Sequence, residues 1–180
     1  HGEQRVHDAQ SAIRKFQAEE FPALHLAIRP QNLGAGRNIE ASISEVINKY
    51  GRAIALDEDV LVSRTFLQYM NEALICYRAD RRIWCINGYH SPYLRLPRSY
   101  KTDIFLSPRN MAWGFGTWAD RWNAVDFTVA DYQDFLRSPA KIERLRSRGE
   151  DMPALLAAQM AGRVNTWDIQ CSYYMAMHDL

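Results

Sequence analysis

The hydrophobic residues of this chain recur in two patterns, which predict helices and strands in alternation. Val6, Ala9, Ile13 and Phe16 recur at helical spacing, and they predict an amphipathic helix over about residues 4–20. Similar patterns predict helices over residues 38–50, about 63–79, about 130–148, 153–160 and from 167 onward. Short apolar runs predict strands at residues 24–28, 53–56, 82–86 and 103–106. The alternation between residues 24 and 86 favours a mostly parallel sheet flanked by helices.

The apolar run at residues 53–56 ends directly in three acids, Asp57, Glu58 and Asp59. Because the run does not alternate with polar residues, we expect a strand buried on both faces, at the centre of the sheet. Open α/β sheets bind ligands at the carboxyl ends of their strands. Adjacent carboxylates repel one another unless a cation or a proton neutralises them, and Mg²⁺ or Mn²⁺ prefers such oxygen ligands. The sequence therefore indicates a divalent-metal site, with a plain surface turn as the alternative.

A glycine-rich loop precedes the second helix, with Gly34 and Gly36 on either side of Ala35 and with Arg37 directly after them. We expect Asn38 to be the N-cap of that helix. A glycine-rich loop before a helix N-terminus is a common phosphate cradle. The signal is weak, because neither a P-loop nor a GxGxxG motif is present.

Aromatic residues and glycines alternate over residues 113–116, and two further tryptophans follow. Such a segment can form a platform that stacks on sugar rings while the backbone approaches closely. We expect Trp113, Gly114 and Gly116 beside a ligand, and Trp118 and Trp122 in the core. The alternative is a tryptophan-rich helix start that only packs inside the protein.

Composition narrows the class of protein. The 180 residues fit one domain, and the formal net charge of +1 gives no overall attraction to nucleic acid or to a membrane. The three cysteines are widely spaced and lack a CxxC pair, which argues against a disulfide framework or a zinc site. No stretch is apolar for the roughly 18 residues that a membrane span needs.

Four segments then follow one another in order: the acids at residues 57–59, the strand and turn at 84–89, the segment at 113–122, and Trp167-Asp168. In this order they resemble the GT-A nucleotide-sugar glycosyltransferases related to N-acetylglucosaminyltransferase I, and the bacterial family 2-like sugar transferases of surface-polysaccharide synthesis. The acids match that family's Glu-Asp-Asp version of the DxD motif. The resemblance spans roughly residues 24–175.

The resemblance implies roles for individual residues. Asp59 would bind the divalent metal, Mn²⁺ or Mg²⁺, and Asp168 would be the general base of an inverting reaction. The donor-binding residues that we expect are Asp57, Glu58, Arg37, Asn87, Trp113, Gly114 and Gly116. The implied partners are a nucleotide-sugar donor, in particular a UDP-sugar, and a glycan or lipid-linked sugar acceptor, with no nucleic acid.

Two departures from the family pattern stand out. The family can hold two adjacent acids in the segment of the base, whereas this chain has Asp168 followed by Ile169. The fold normally begins with a nucleotide-binding strand, and no such strand is evident before the first helix. We therefore expect residues 1–180 to be a single GT-A domain from a longer enzyme. The implied location is cytoplasmic, and peripheral association with the inner face of a membrane stays open.

Two other functions remain as alternatives. A haloacid-dehalogenase-type phosphohydrolase also places Asp-x-Asp after an apolar strand, as in Asp57 to Asp59, but it needs a later strand end with paired acids, and this chain has no later Asp-Asp pair. A non-catalytic carbohydrate-binding or assembly module could keep the fold without the chemistry. Metal binding without hydrolysis of a UDP-sugar is the result expected of such a module.

Overall fold

The computed structural model describes residues 2–19 and 24–180. The chain divides into two compact units, His1–Leu33 and Gly34–Leu180. The first unit contains helix α1 (Gly2–Glu19), close to the predicted bounds. Residues 24–28 are described as irregular, so the strand predicted there is wrong.

The second unit contains all the other described elements. In chain order they are α2 (Ala35–Tyr50), β1 (Arg52–Ala55), α3 (Phe66–Cys76), β2 (Cys85–Asn87), β3 (Phe115–Trp118), α4 (Ala119–Trp122), α5 (Tyr132–Leu136), α6 (Pro139–Arg146), α7 (Met152–Met160) and α8 (Asp168–Met177). The predicted helices are thus present. Two predicted helix starts are wrong, since α2 begins after Gly34 rather than Asn38, and α3 begins after Thr65.

The described sheet has three strands in the order β1-β3-β2, and β3 is antiparallel to both neighbours. This corrects the expectation of a mostly parallel GT-A sheet with residues 53–56 at its centre. The strand formed there, β1, lies at one side, and β3 occupies the centre. β1 and β2 still run in the same direction, as strand–helix–strand alternation predicts, but β3 lies between them.

Helices cover both faces of the sheet because side chains along a strand alternate between its faces. On one face, Phe115 packs with Trp84, Trp122 and Trp167, and with apolar residues of α2 and α8. On the other face, Trp118 packs with Ile86 and with apolar residues of α3. A separate core joins α5, α6, α7 and α8.

The expectation that Trp118 and Trp122 are buried is confirmed, with exposed fractions of 0% and 1%. Buried indole N–H groups need acceptors, and both have one. Trp118 Nε1 donates to the Leu74 carbonyl oxygen (3.0 Å), and Trp122 Nε1 donates to Ser44 Oγ (2.9 Å). Within the described ranges, no helix combines the length and the apolar character needed to cross a membrane.

Candidate functional site

One edge of the sheet gathers segments that are distant in sequence. The last residues of β1 and β2, Ala55 and Asn87, both pair with Phe115, the first residue of β3. The chain therefore leaves β1 toward the acids, leaves β2 toward Gly88, and enters β3 from Gly114, all at the same place. We call this place the strand-end edge.

Direct contacts join two of these segments. The Gly88 N–H donates to the Gly114 carbonyl oxygen at 2.7 Å, and the rings of Tyr89 and Trp113 meet edge to face with centroids 4.9 Å apart. Phe66, the first residue of α3, lies against both glycines. The Trp113 side chain is 53% exposed, so part of its ring is free to stack on a ligand.

The acids follow β1 at this edge. Asp57 is half-buried, whereas Glu58 and Asp59 are exposed. Partial burial, and then the charges of Glu58 and Asp59, raise the pKa of the Asp57 carboxyl above its usual value. These groups thus repel one another in the folded chain, and a cation would relieve that repulsion.

No group of three or more His, Cys, Asp or Glu side chains in the described part of the chain is arranged to hold a metal ion. The protein groups seen there therefore do not form a closed coordination cage. Exposed carboxylates still fit Mg²⁺ or Mn²⁺, because such ions often take one or two carboxylates and complete their shell with waters and substrate phosphates. The donor set at Glu58 and Asp59 is consistent with that open kind of coordination.

Asp168 lies in the first turn of α8, and its neighbour Trp167 connects it to the sheet. The Trp167 ring stacks on Phe115 with centroids 4.9 Å apart and an interplanar angle of 28°. Thr166 Oγ1 donates a hydrogen bond to Asp168 Oδ1. The start of α8 is thereby held against the first residue of β3, on the sheet face that α2 also covers.

The glycine-rich segment at the start of α2 contacts the segment that leads into α8. A Cβ atom on Gly36 would lie 2.6 Å from Asn165 Oδ1 and 2.9 Å from the Thr166 carbonyl oxygen. The close approach of two backbone segments therefore accounts for this glycine. Arg37, in the first turn of α2, is exposed.

Two of the predicted donor-binding residues, Gly116 and Asn87, make structural contacts within the protein. Gly116 is buried within β3, and a Cβ there would meet side chains of α3 and the Ala53 carbonyl oxygen. The Asn87 side chain anchors the following loop, since its Oδ1 accepts from Met111 N (3.2 Å) and its Nδ2 donates to Arg109 O (3.5 Å). These contacts give both residues a structural part.

A cavity of about 760 Å³ is lined by β2 and by the irregular segments that follow it. Of the predicted site residues it includes Asn87 alone. Its lining includes Leu94, Ile104, Phe105 and Arg148, none of which was predicted to lie at a functional site. In the sequence, residues 90–102 show no helix or strand pattern, and such a long loop is usually functional or mobile.

Comparison with protein-family models, with curated proteins and with solved structures gave no match.

Proposed function

We propose that this chain is a metal-dependent, inverting glycosyltransferase domain that takes its sugar from a nucleotide-sugar, in particular a UDP-sugar. The supporting observation is the meeting of three sequence-distant segments at the strand-end edge, joined through Trp167 to a fourth. Together they offer carboxylates, an exposed aromatic ring and a half-buried acid. A transferase of this class needs all three kinds of group.

The three acids at residues 57–59 would bind the nucleotide-sugar donor. Asp59 would hold the divalent ion, and Asp57 and Glu58 would lie near the ribose and the sugar. When bound, such an ion stabilises the negative charge that gathers on a departing diphosphate. The exposure of Glu58 and Asp59 supports this assignment, because phosphate oxygens can reach a cation bound there.

Asp168 would act as general base on the acceptor hydroxyl. An acceptor hydroxyl oxygen forms a bond to the anomeric carbon of the donor while the bond from that carbon to the phosphate oxygen breaks. The nucleoside diphosphate leaves with the electron pair, and Asp168 takes the hydroxyl proton as general base. Since the attack and the departure occur on opposite sides of the carbon, the anomeric configuration inverts.

The hydrogen bond from Thr166 occupies Oδ1 of this carboxylate. The other oxygen, Oδ2, is then the natural proton acceptor. The partly exposed ring of Trp113 would stack on the sugar, which favours a flat carbohydrate face over a flexible chain.

Thermal shift with UDP and a panel of nucleotide-sugars, with and without Mn²⁺, tests the donor site. We expect a Mn²⁺-dependent stabilisation by UDP that Asp59→Asn weakens by about tenfold or more in affinity. Asp168→Asn should retain that binding and lose sugar transfer, measured by release of UDP in the presence of acceptor. Asp134→Asn, an exposed acid on α5, is the matched control.

The absence of any Mn²⁺-dependent effect of UDP on the wild-type chain would contradict the donor site. Equal behaviour of Asp59→Asn and the Asp134→Asn control would remove Asp59 from it. Hydrolysis of simple phosphate esters that Asp57→Asn abolishes would instead favour the phosphohydrolase.

A further inference from the structure

The irregular stretch over residues 91–102 carries exposed apolar and cationic side chains together. The exposed fractions of its large apolar residues are 90% for Tyr93, 45% for Leu94, 43% for Leu96 and 40% for Tyr100. The same residues include three cations and no acid. The cations are Arg95, Arg98 and Lys101, all of them exposed.

Within the described part of the chain, the three cations of this stretch form no ion pair. The cations of α6 differ, since Lys141 pairs with Asp131 at 3.1 Å and Arg146 pairs with Glu143 at 2.6 Å. Residues 91–102 thus carry a net charge of +3, and with the adjacent Asp103 the stretch 91–103 carries +2 (three cations minus one acid), although the whole chain is close to neutral.

The stretch also has a defined shape. Leu94 N donates to the Ser91 carbonyl oxygen (3.0 Å), and Tyr100 N donates to the Pro97 carbonyl oxygen (2.9 Å). The Tyr100 hydroxyl donates to the Ile104 carbonyl oxygen at 2.6 Å. Two turns thus present the apolar and cationic groups on an ordered loop, which we call the docking loop.

We propose that the docking loop binds the surface of a bilayer that contains anionic phospholipid. Cations near such a surface are attracted by its negative potential, and tyrosine is suited to the headgroup region because its ring is apolar and its hydroxyl polar. Leucine side chains gain by leaving water for the acyl boundary. Exposed Leu94 and Leu96 favour a lipid surface over nucleic acid, which offers no acyl chains for them.

Leu94 also lines the 760 Å³ cavity. A docked loop would hold that cavity at the lipid surface. An acceptor carried on a membrane lipid would then reach the protein without leaving the bilayer. Binding of the docking loop to a membrane requires neither metal nor nucleotide, so it can be tested independently of the proposed transferase activity.

Flotation with vesicles tests the proposal on the full 180-residue chain. The vesicles are phosphatidylcholine alone, or phosphatidylcholine mixed with phosphatidylglycerol, without metal or nucleotide. We expect binding to the mixed vesicles only, with an affinity that falls as salt rises. Each cation removed should weaken binding about fivefold, so Arg95→Gln/Arg98→Gln/Lys101→Gln should weaken it about 100-fold.

Two further variants separate the contributions. Tyr93→Ser/Leu96→Ser keeps the charges and should weaken binding about tenfold or more. Lys141→Gln/Arg144→Gln/Arg146→Gln on α6 removes the same charge and should leave most of the binding intact. Thermal melts followed by circular dichroism check that each variant folds, and the salt titration of the wild-type chain needs no variant.

Three results would overturn the proposal. The first is no preference of the wild-type chain for the mixed vesicles. The second is an equal loss of binding in the docking-loop and α6 triple variants. The third is binding of the wild-type chain to a single-stranded oligonucleotide without binding to the vesicles, which would assign the loop to nucleic acid.

Discussion

Substitution of Gly36 by alanine should have two opposite effects on stability, a gain in helix propensity and a steric clash. An alanine normally stabilises a helix relative to glycine, by up to about 1 kcal/mol. Here the added Cβ would lie 2.9 Å from the Thr166 carbonyl oxygen and 3.1 Å from its carbon. These are backbone atoms, so they cannot rotate away as the end of a flexible side chain could.

The size of the expected effect follows from this balance. Forcing an extra carbon into a closely packed site costs about 1–3 kcal/mol, and contact with backbone indicates the upper part of that range. After the gain in helix propensity is subtracted, Gly36→Ala should lower the free energy of unfolding by about 2 kcal/mol. For a chain of this length the corresponding fall in Tm is about 4–8 °C.

Urea unfolding and thermal melts followed by circular dichroism measure both quantities. The control is Asn38→Ala, an exposed position on the same helix, which should gain about 0.5 kcal/mol from propensity. The two variants are thus expected to change stability in opposite directions. A Gly36→Ala chain that is as stable as the wild type, or more stable, would refute the packing of α2 on the segment before Asp168.

Two other predictions concern charge. Burial and two neighbouring acids raise the pKa of Asp57, so the folded chain binds a proton on this carboxyl more tightly than the unfolded chain does. The stability that protonation of Asp57 contributes is therefore lost as pH rises through the folded pKa. Asp57→Asn should therefore gain stability over the wild type from acidic to neutral pH in urea unfolding, and a pH-independent difference would contradict this. Arg121 is 4% exposed and lies 4.2 Å from the Trp118 ring centroid, and it donates to three backbone carbonyl oxygens of residues 78–83. Arg121→Met should lower the free energy of unfolding by about 3 kcal/mol in the same assay. Arg137→Met, at the exposed residue directly after α5, should change it little, and an equal effect of the two variants would refute the buried role of Arg121.

The helices were largely predictable because their signals are local. The apolar spacing of each helix reports its own buried face, and turn residues mark some of the ends. Gly51 has φ 79° and ends α2, as its position in the sequence predicted. The helix starts were less predictable, since α2 and α3 lack side-chain cap hydrogen bonds.

The strands were predictable only in part. β1 lies within one residue of its predicted position, and β2 ends within one residue of its prediction but starts three residues later, whereas β3 was read as a glycine-aromatic platform. The run at residues 103–106 forms no strand, and its Ile104 carbonyl oxygen instead accepts from Tyr100 and Thr102 side chains. Such local side-chain hydrogen bonds compete with strand pairing, and an apolar run does not reveal them.

The sequence by itself determined which segments carry chemical groups: the acids after β1, the turn after β2, the aromatic-glycine segment, and the acid that begins α8. Only the tertiary structure decided that β3 separates β1 from β2 and that three of these segments share one edge. It also decided that Trp167 joins the fourth to Phe115. The physical reason is that hydrophobic periodicity reports how one segment is buried, whereas strand order depends on which distant segments bury one another's apolar surface.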